Sequence, residues 1–174
     1  MALDEDLHEC AARELEEETG VSDVYLEQLY SFGKPQRDPR ERVITIAYFA
    51  LIPSDKLQLR AATDAAAVDW FPVDDLPRLA FDHASILEMA RARLLSKLNY
   101  STIAFQLLPA EFTLTDVQKI HETILQQKID KRNFRKWVLG LESIKETGKV
   151  RRDGQHRPAK LYRLVARDRI DYTK

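Results

Sequence analysis

Cysteine is nearly absent from this sequence, with Cys10 the single one in 174 residues. That excludes an intrachain disulfide framework and any zinc site built from several thiolates, and it suits a reducing cytoplasm. A secretory leader is not expected either, because Met1 is followed by Asp4, Glu5 and Asp6 rather than by a basic start and an apolar stretch. No apolar run is long enough to cross a bilayer. The most apolar one, Val43 to Pro53, reads as a buried strand, so no membrane segment is expected. Internal repeats and low-complexity linkers are lacking too. What remains is an ordinary globular composition, 44% hydrophobic and 32% charged, sufficient for one large or two small packed domains.

The net charge of -1 hides a division along the chain. Residues 1–100 hold 11 Lys and Arg against 19 Asp and Glu, whereas residues 101–174 hold 16 against 9. A swing of this size between contiguous halves predicts two domains with different partners, 1–99 and 100–174. The basic half suits phosphates. The acidic half suits a cation, or an anion bound through one.

Turn residues and apolar periodicity outline the first half as mixed helix and strand. Asp4 to Thr19 reads as a helix closed by Gly20. Strands are expected over Val24–Phe32 and Val43–Ile52, joined by the polar loop Gly33–Arg42. A shorter strand around Val68 to Phe71 precedes Pro72 and Pro77, after which Asp82 caps a helix running to about Leu98. Trp70 and Phe71 can offer an aromatic face to a base or ribose, although core packing is the commoner role for such residues. His8 and His83 are each a lone helical histidine, more often structural or exposed than catalytic.

The first helix carries a carboxylate cluster. At 100° per residue, Leu7, Ala11 and Leu15 form an apolar stripe, with Glu5, Glu9 and Glu16 nearly opposite as solvated charges. Glu18 projects into the stripe and Glu14 and Glu17 flank it, so a partly enclosed setting is expected for these three. Their spacing places them on one surface, where only Arg13 is locally available to offset the repulsion. Such a cluster suits Mg2+, which takes carboxylate oxygens together with a substrate's phosphates. The plain alternative is a solvated Glu-rich helix, since Glu is a good helix former.

The order Arg13-Glu14-Leu15-Glu16-Glu17-Glu18-Thr19-Gly20-Val21 resembles the core of the Nudix box, and Glu5 stands where the box has its earlier glutamate. By that resemblance Glu14, Glu17 and Glu18 bind Mg2+, Arg13 orients a glutamate, and Gly20 lets the loop turn sharply. In a hydrolytic member Glu17, Glu18 and Arg13 are the catalytic residues. The glycine that opens the box has no counterpart here, nor have the N-terminal strands that supply part of the sheet and nucleoside pocket. The resemblance therefore implies an incomplete Nudix α/β/α sandwich. Uncovered strand edges and apolar surface in such a domain invite pairing with a second copy, and a homodimer is expected.

A second feature of this half is the loop from Phe32 to Arg40. Proline and glycine make it a defined turn system, and Arg37 and Arg40, with Asp38 between them, can hold the pyrophosphate of a bound effector near the carboxylate helix. A solvated connecting loop is the alternative.

The basic half shows an order of elements of its own. Thr102 to Leu108 suits a short strand or extended lead-in. Thr113-Leu114-Thr115-Asp116 starts a helix with the apolar stripe Val117, Ile120, Ile124 and Leu125. After a short connector Asp130 caps a second helix to about Leu141, with Phe134, Val138 and Leu141 facing inward. This is the layout of a recognition helix. Asn133, Arg132 and Arg135 can reach base edges in a major groove, and Lys131 and Lys136 can reach phosphates. Lys145–Arg151 and Lys160–Val165 then read as two strands joined by a basic tip, a wing that lays Arg151, Arg152, Arg157 and Lys160 along a DNA backbone or minor groove. A basic helix or hairpin taken singly is more often a solvated surface. Their conjunction in this order predicts a winged helix-turn-helix domain that binds double-stranded DNA, giving an α+β chain overall.

Phe32 to Arg42, Leu79-Ala80-Phe81-Asp82-His83, Asp130 to Arg135 and Arg157-Pro158-Ala159-Lys160-Leu161-Tyr162 resemble segments of the Nudix-related transcriptional regulators of bacterial NAD metabolism. The resemblance covers essentially the whole chain. It implies a cytoplasmic repressor whose Nudix-like domain senses ADP-ribose or a related nucleotide, and whose hold on DNA weakens when that effector binds. The alternative it leaves open is a Mg2+-dependent hydrolase that cleaves the pyrophosphate of ADP-ribose.

Overall fold

The computed structural model of the chain describes residues 4–56, 69–152, 157–167 and 170–172. The chain divides into two compact units, one holding residues up to Ile52 together with Lys56 to Arg93, the other Pro53–Asp55 together with Leu94 onward. The division falls inside a helix, shortly before the place indicated by charge.

In the first unit, helix α1 spans Leu7–Thr19. It begins at Leu7 rather than Asp4 because Asp6 caps it. The Asp6 carboxylate accepts from the His8 and Glu9 amides at 2.7 and 2.8 Å, and the Glu9 carboxylate accepts from the Asp6 amide at 2.9 Å. Gly20 ends the helix at φ 70°, donating its N–H to the Glu16 carbonyl, a left-handed position that a side chain would strain. Strands β1 (Tyr25–Phe32) and β2 (Thr45–Leu51) pair antiparallel, with a bulge between Gln28 and Tyr30. Among the described residues of this unit Val21, Leu29, Ala47 and Leu51 are buried, while no residue of α1 is. Ile44 and Ile46 are 64% and 37% exposed, so the run from Val43 is half-buried rather than buried. A two-stranded sheet covers one face only. Asp69 to Phe71 form no strand, Val68 lies outside the described residues, and Trp70 and Phe71 are exposed rather than in a core. Helix α2 spans His83–Leu98, directly after Asp82 as expected.

The second unit is better packed. The stretch expected to be extended is a short 3-10 helix, Ile103–Leu107. Its residues Ile103, Ala104, Phe105 and Gln106 are all buried, which an alternating strand does not achieve. Helices α3 (Leu114–Leu125) and α4 (Lys131–Leu139) follow. Thr113 and Asp116 form a capping box on α3, and the Asp130 carboxylate accepts from the Asn133 amide at 2.8 Å to cap α4. Gly140 ends α4 slightly earlier than the apolar pattern indicated. Strands β3 (Ile144–Arg151) and β4 (Ala159–Leu164) form an antiparallel hairpin. Phe105, Leu108, Phe112, Val117, Phe134, Val138, Ile144, Tyr162 and Leu164 make one core. Phe112 and Tyr162 exchange backbone hydrogen bonds of 2.9 and 2.8 Å, stitching the start of α3 to β4. Two helices at a short turn, followed by a hairpin on the same core, are a winged helix. No helix of the described residues is long and apolar enough to cross a membrane.

Candidate nucleotide and DNA sites

The carboxylates of α1 gather around Arg13 rather than around a vacant centre. The Arg13 guanidinium reaches Glu5 at 2.9 Å, Glu14 at 2.8 Å and Glu17 at 2.8 Å, and Glu5, then Glu14, hold its pKa above the ordinary value. Glu5 was expected to be a solvated charge. Its side chain is only 13% exposed, because the residue precedes the helix and folds back under Arg13. Glu18, expected to be enclosed, is exposed instead, as α1 has no fully buried face. No three acidic, histidine or cysteine side chains among the described residues are placed to hold a metal ion. As they stand, Glu14 and Glu17 are paired with Arg13 while Glu18 is exposed, and no hydrolytic step follows from their geometry.

The Gly33–Arg42 loop is tied down by its own charges. Arg37 donates from Nε and Nη2 to the two Asp82 oxygens at 3.0 and 2.8 Å, and from Nη1 to the Thr45 hydroxyl. With its side chain 5% exposed, Arg37 is not offered to a ligand. Asp38 accepts from Arg40 at 2.8 Å, and the hydrogen bond of that side chain, then that of the Arg40 amide, lowers the Asp38 carboxyl to about 2. Arg40 is the exposed member, with its guanidinium 5.0 Å above the Phe81 ring. Lys34 and Arg42 are exposed at the loop's ends, and Arg42 donates to the Gly33 carbonyl at 2.7 Å.

In the second unit α4 presents its start to solvent. Lys131, Arg132, Asn133 and Lys136 are exposed, and no described carboxylate pairs with the three cations. Arg135 is different: it leans back toward α3, half-buried, with Nη2 3.4 Å from the Thr115 hydroxyl. The turn between the helices is fastened by Glu122, which accepts from Gln118, from the Ile129 amide and from Lys128 at 3.0, 3.1 and 3.1 Å. Behind α4, His121 is buried, donating Nδ1–H to the Val117 carbonyl at 2.9 Å, with Nε2 unpartnered among Phe105, Phe134 and Trp137.

The wing divides its cations. Arg151 donates to both Asp116 oxygens at 2.9 Å, Lys149 pairs with Glu111 at 2.8 Å, and Lys160 pairs with Glu146 at 2.9 Å. Burial pushes the Asp116 carboxyl up, but Arg151 and Thr113 outweigh it and hold it below the ordinary value. Arg152 and Arg157, flanking the tip, are exposed and pair with no described carboxylate. Lys145 and Arg163, which the sequence reading did not select, face each other across the hairpin and are both exposed. Only strand register reveals them.

Comparison with known proteins accords with this layout. Residues 2–90 match the model of the NUDIX domain, and residues 104–164 match that of the NrtR DNA-binding winged helix domain. The crystal structure of Shewanella oneidensis NrtR complexed with a 27mer DNA superposes with a TM-score of 0.83 at 36% identity, covering 93% of this chain and 74% of that one. The chain belongs to the NrtR family. An ADPR responsive transcriptional repressor, NtrR, of Acinetobacter baylyi is 38% identical over 167 residues, 95% of this chain and 66% of that protein. An ADP-ribose pyrophosphatase of Methanocaldococcus jannaschii is 36% identical over 84 residues, 48% of each. The chain thus spans less than two thirds of either curated relative. Outside the residues matched to the winged helix model, Asp171 pairs with Thr102 through hydrogen bonds of 2.9 and 3.0 Å.

Proposed function

We propose that the chain is a DNA-binding transcriptional repressor of NAD-metabolism genes whose Nudix domain senses ADP-ribose or a related nucleotide. The observation that carries this reading is the row Lys131, Arg132 and Lys136 on the exposed side of α4, with no described carboxylate to neutralise it. In this reading Lys131 and Lys136 meet phosphates, and Arg132 and Asn133 reach base edges. Arg152 and Arg157 meet the backbone beside the wing. Arg135, Arg151 and Lys160 act mainly by holding α4 and the wing in place. The effector's pyrophosphate lies against Arg40, positioned by Asp38 and Arg37. A homodimer bound to two half-sites completes the arrangement, consistent with the apolar surface left by Ile44, Ile46 and Tyr30.

A second reading, hydrolysis of the effector, is favoured by one observation: the acidic run of α1 lies within residues 2–90, which match the NUDIX domain, and an ADP-ribose pyrophosphatase is among the similar proteins. It requires Glu14 and Glu17 to leave Arg13 and converge with Glu18 on Mg2+. The test is a mobility-shift titration with promoter fragments of NAD-biosynthesis genes, with and without ADP-ribose and Mg2+, followed by analysis of the nucleotide. Binding released by intact ADP-ribose supports the repressor, and Glu17→Gln or Glu18→Gln should then still release DNA. Conversion of the nucleotide to AMP and ribose 5-phosphate, lost in those variants, supports the hydrolase.

A further inference from the structure

Arg37 and Asp82 stand apart in the sequence, yet they make the most complete ion pair of the first unit. Both contacts are short, parallel and two-toothed, 3.0 and 2.8 Å, and the guanidinium is almost fully covered. A third hydrogen bond locks Arg37 to Thr45 on β2. The pair therefore joins three parts of the unit: the loop, the sheet and the residue that opens α2.

A second contact runs beside it. The Arg40 guanidinium covers the ring of Phe81, a residue at φ 51°. A bulky side chain in the left-handed region is strained and persists only where its surroundings hold it. The Phe81 ring in turn stands edge-on to His83, the first residue of α2. The turn that launches α2 is thus held from the loop at two points.

Helix α2 begins directly after Asp82 and runs on as a continuous helix of 16 residues, a rod roughly 24 Å long.

We propose that the Arg37–Asp82 ion pair is the strut through which occupancy of the nucleotide site is read by α2, with Asp82 a positioning residue that never touches the nucleotide. This rests on the repressor reading above. Arg40, 71% exposed, is the group a nucleotide diphosphate can take. Drawing Arg40 onto a phosphate removes it from Phe81 and moves the loop, and Arg37 transfers that movement to Asp82. Breaking the pair outright strands a buried charge, so loop and helix start move together. Coupling then has a physical carrier with two arrangements, as an allosteric effect requires.

The test uses the full chain. DNA affinity is measured by fluorescence anisotropy with and without ADP-ribose, and ADP-ribose affinity by calorimetry with and without DNA, for wild type, Asp82→Asn and the exchange Arg37→Asp with Asp82→Arg. In wild type ADP-ribose is expected to weaken DNA binding about tenfold or more, and DNA to weaken ADP-ribose binding by the same factor. Asp82→Asn should bind DNA alone and ADP-ribose alone within about twofold of wild type, while the mutual weakening falls below about twofold. The exchanged pair should recover part of it, which mere damage to the fold does not predict. Undiminished coupling in Asp82→Asn, or loss of ADP-ribose binding itself in that variant, overturns the strut and leaves the repressor reading standing. Absence of any ADP-ribose effect in wild type overturns both.

Discussion

His121 and Glu122 are neighbours on α3 that respond to acid for opposite reasons. Burial among aromatic rings depresses the His121 pKa below its ordinary 6.5, with the Val117 carbonyl a smaller opposing influence. Glu122 is held at about 2, first by Gln118, then by the Ile129 amide and Lys128. Both groups take up a proton more readily in the unfolded chain, so both contribute stability that is complete at high pH and lost as pH falls. For His121 the loss begins near its ordinary 6.5, and for Glu122 it runs from the ordinary 4.5 toward 2. Thermal unfolding across pH 3 to 8 should therefore show a midpoint steady above neutrality that declines in two stages. His121→Leu should flatten the first stage and Glu122→Gln the second. A profile unchanged by both substitutions would refute this account.

At the level of elements, local chemistry at the ends decides what forms. Thr113→Ala removes one half of the α3 capping box and should cost about 1 kcal/mol in chemical denaturation. The cations of α4 and the wing then separate by task. Arg132→Glu should abolish DNA binding, whereas Arg151→Ala removes a partly exposed pair with Asp116, costing about 0.2–1 kcal/mol of stability while leaving the salt dependence of DNA binding nearly unchanged. Measuring affinity against salt distinguishes them, because a residue that meets a phosphate reduces the slope by about one unit. Helix starts at Thr113 and Asp130 were legible because a cap and its amides lie within three residues of each other, whereas the first helix was expected from Asp4 and is capped by Asp6 instead. The 3-10 helix at Ile103–Leu107 was not, since its burial depends on α3 and on residues some sixty positions away, such as the Gln106 bond to the Arg167 carbonyl. Which wing cations are spent on Asp116, Glu111 and Glu146 is also a matter of register, and the sequence does not carry it.

For the whole molecule the charge is unevenly divided along the chain. The acidic first half and the basic second half coincide with the two matched families, and the cations that remain exposed and unpaired on α4 and beside the wing tip all fall in the second. If Lys131, Arg132, Lys136, Arg152 and Arg157 each neutralise one phosphate, the logarithm of affinity should fall with the logarithm of salt with a slope of roughly -4 to -5 per chain. A slope near zero would assign the winged helix to protein contacts instead. The side-chain pairings of the first half were less legible than those of the second. The motif singled out the carboxylates of α1, but in the structure Arg13 engages Glu14 and Glu17, and Arg37 pairs with Asp82, a carboxylate far along the chain.

The pairing of Thr102 with Asp171, with Tyr100 stacked on Tyr172 at 6.1 Å, sets the two segments that flank the winged helix side by side. A module whose ends emerge together can be spliced into a loop of a foreign protein, or reopened elsewhere and joined through a short linker, without rethreading its core. The winged helix of this chain is in that sense portable.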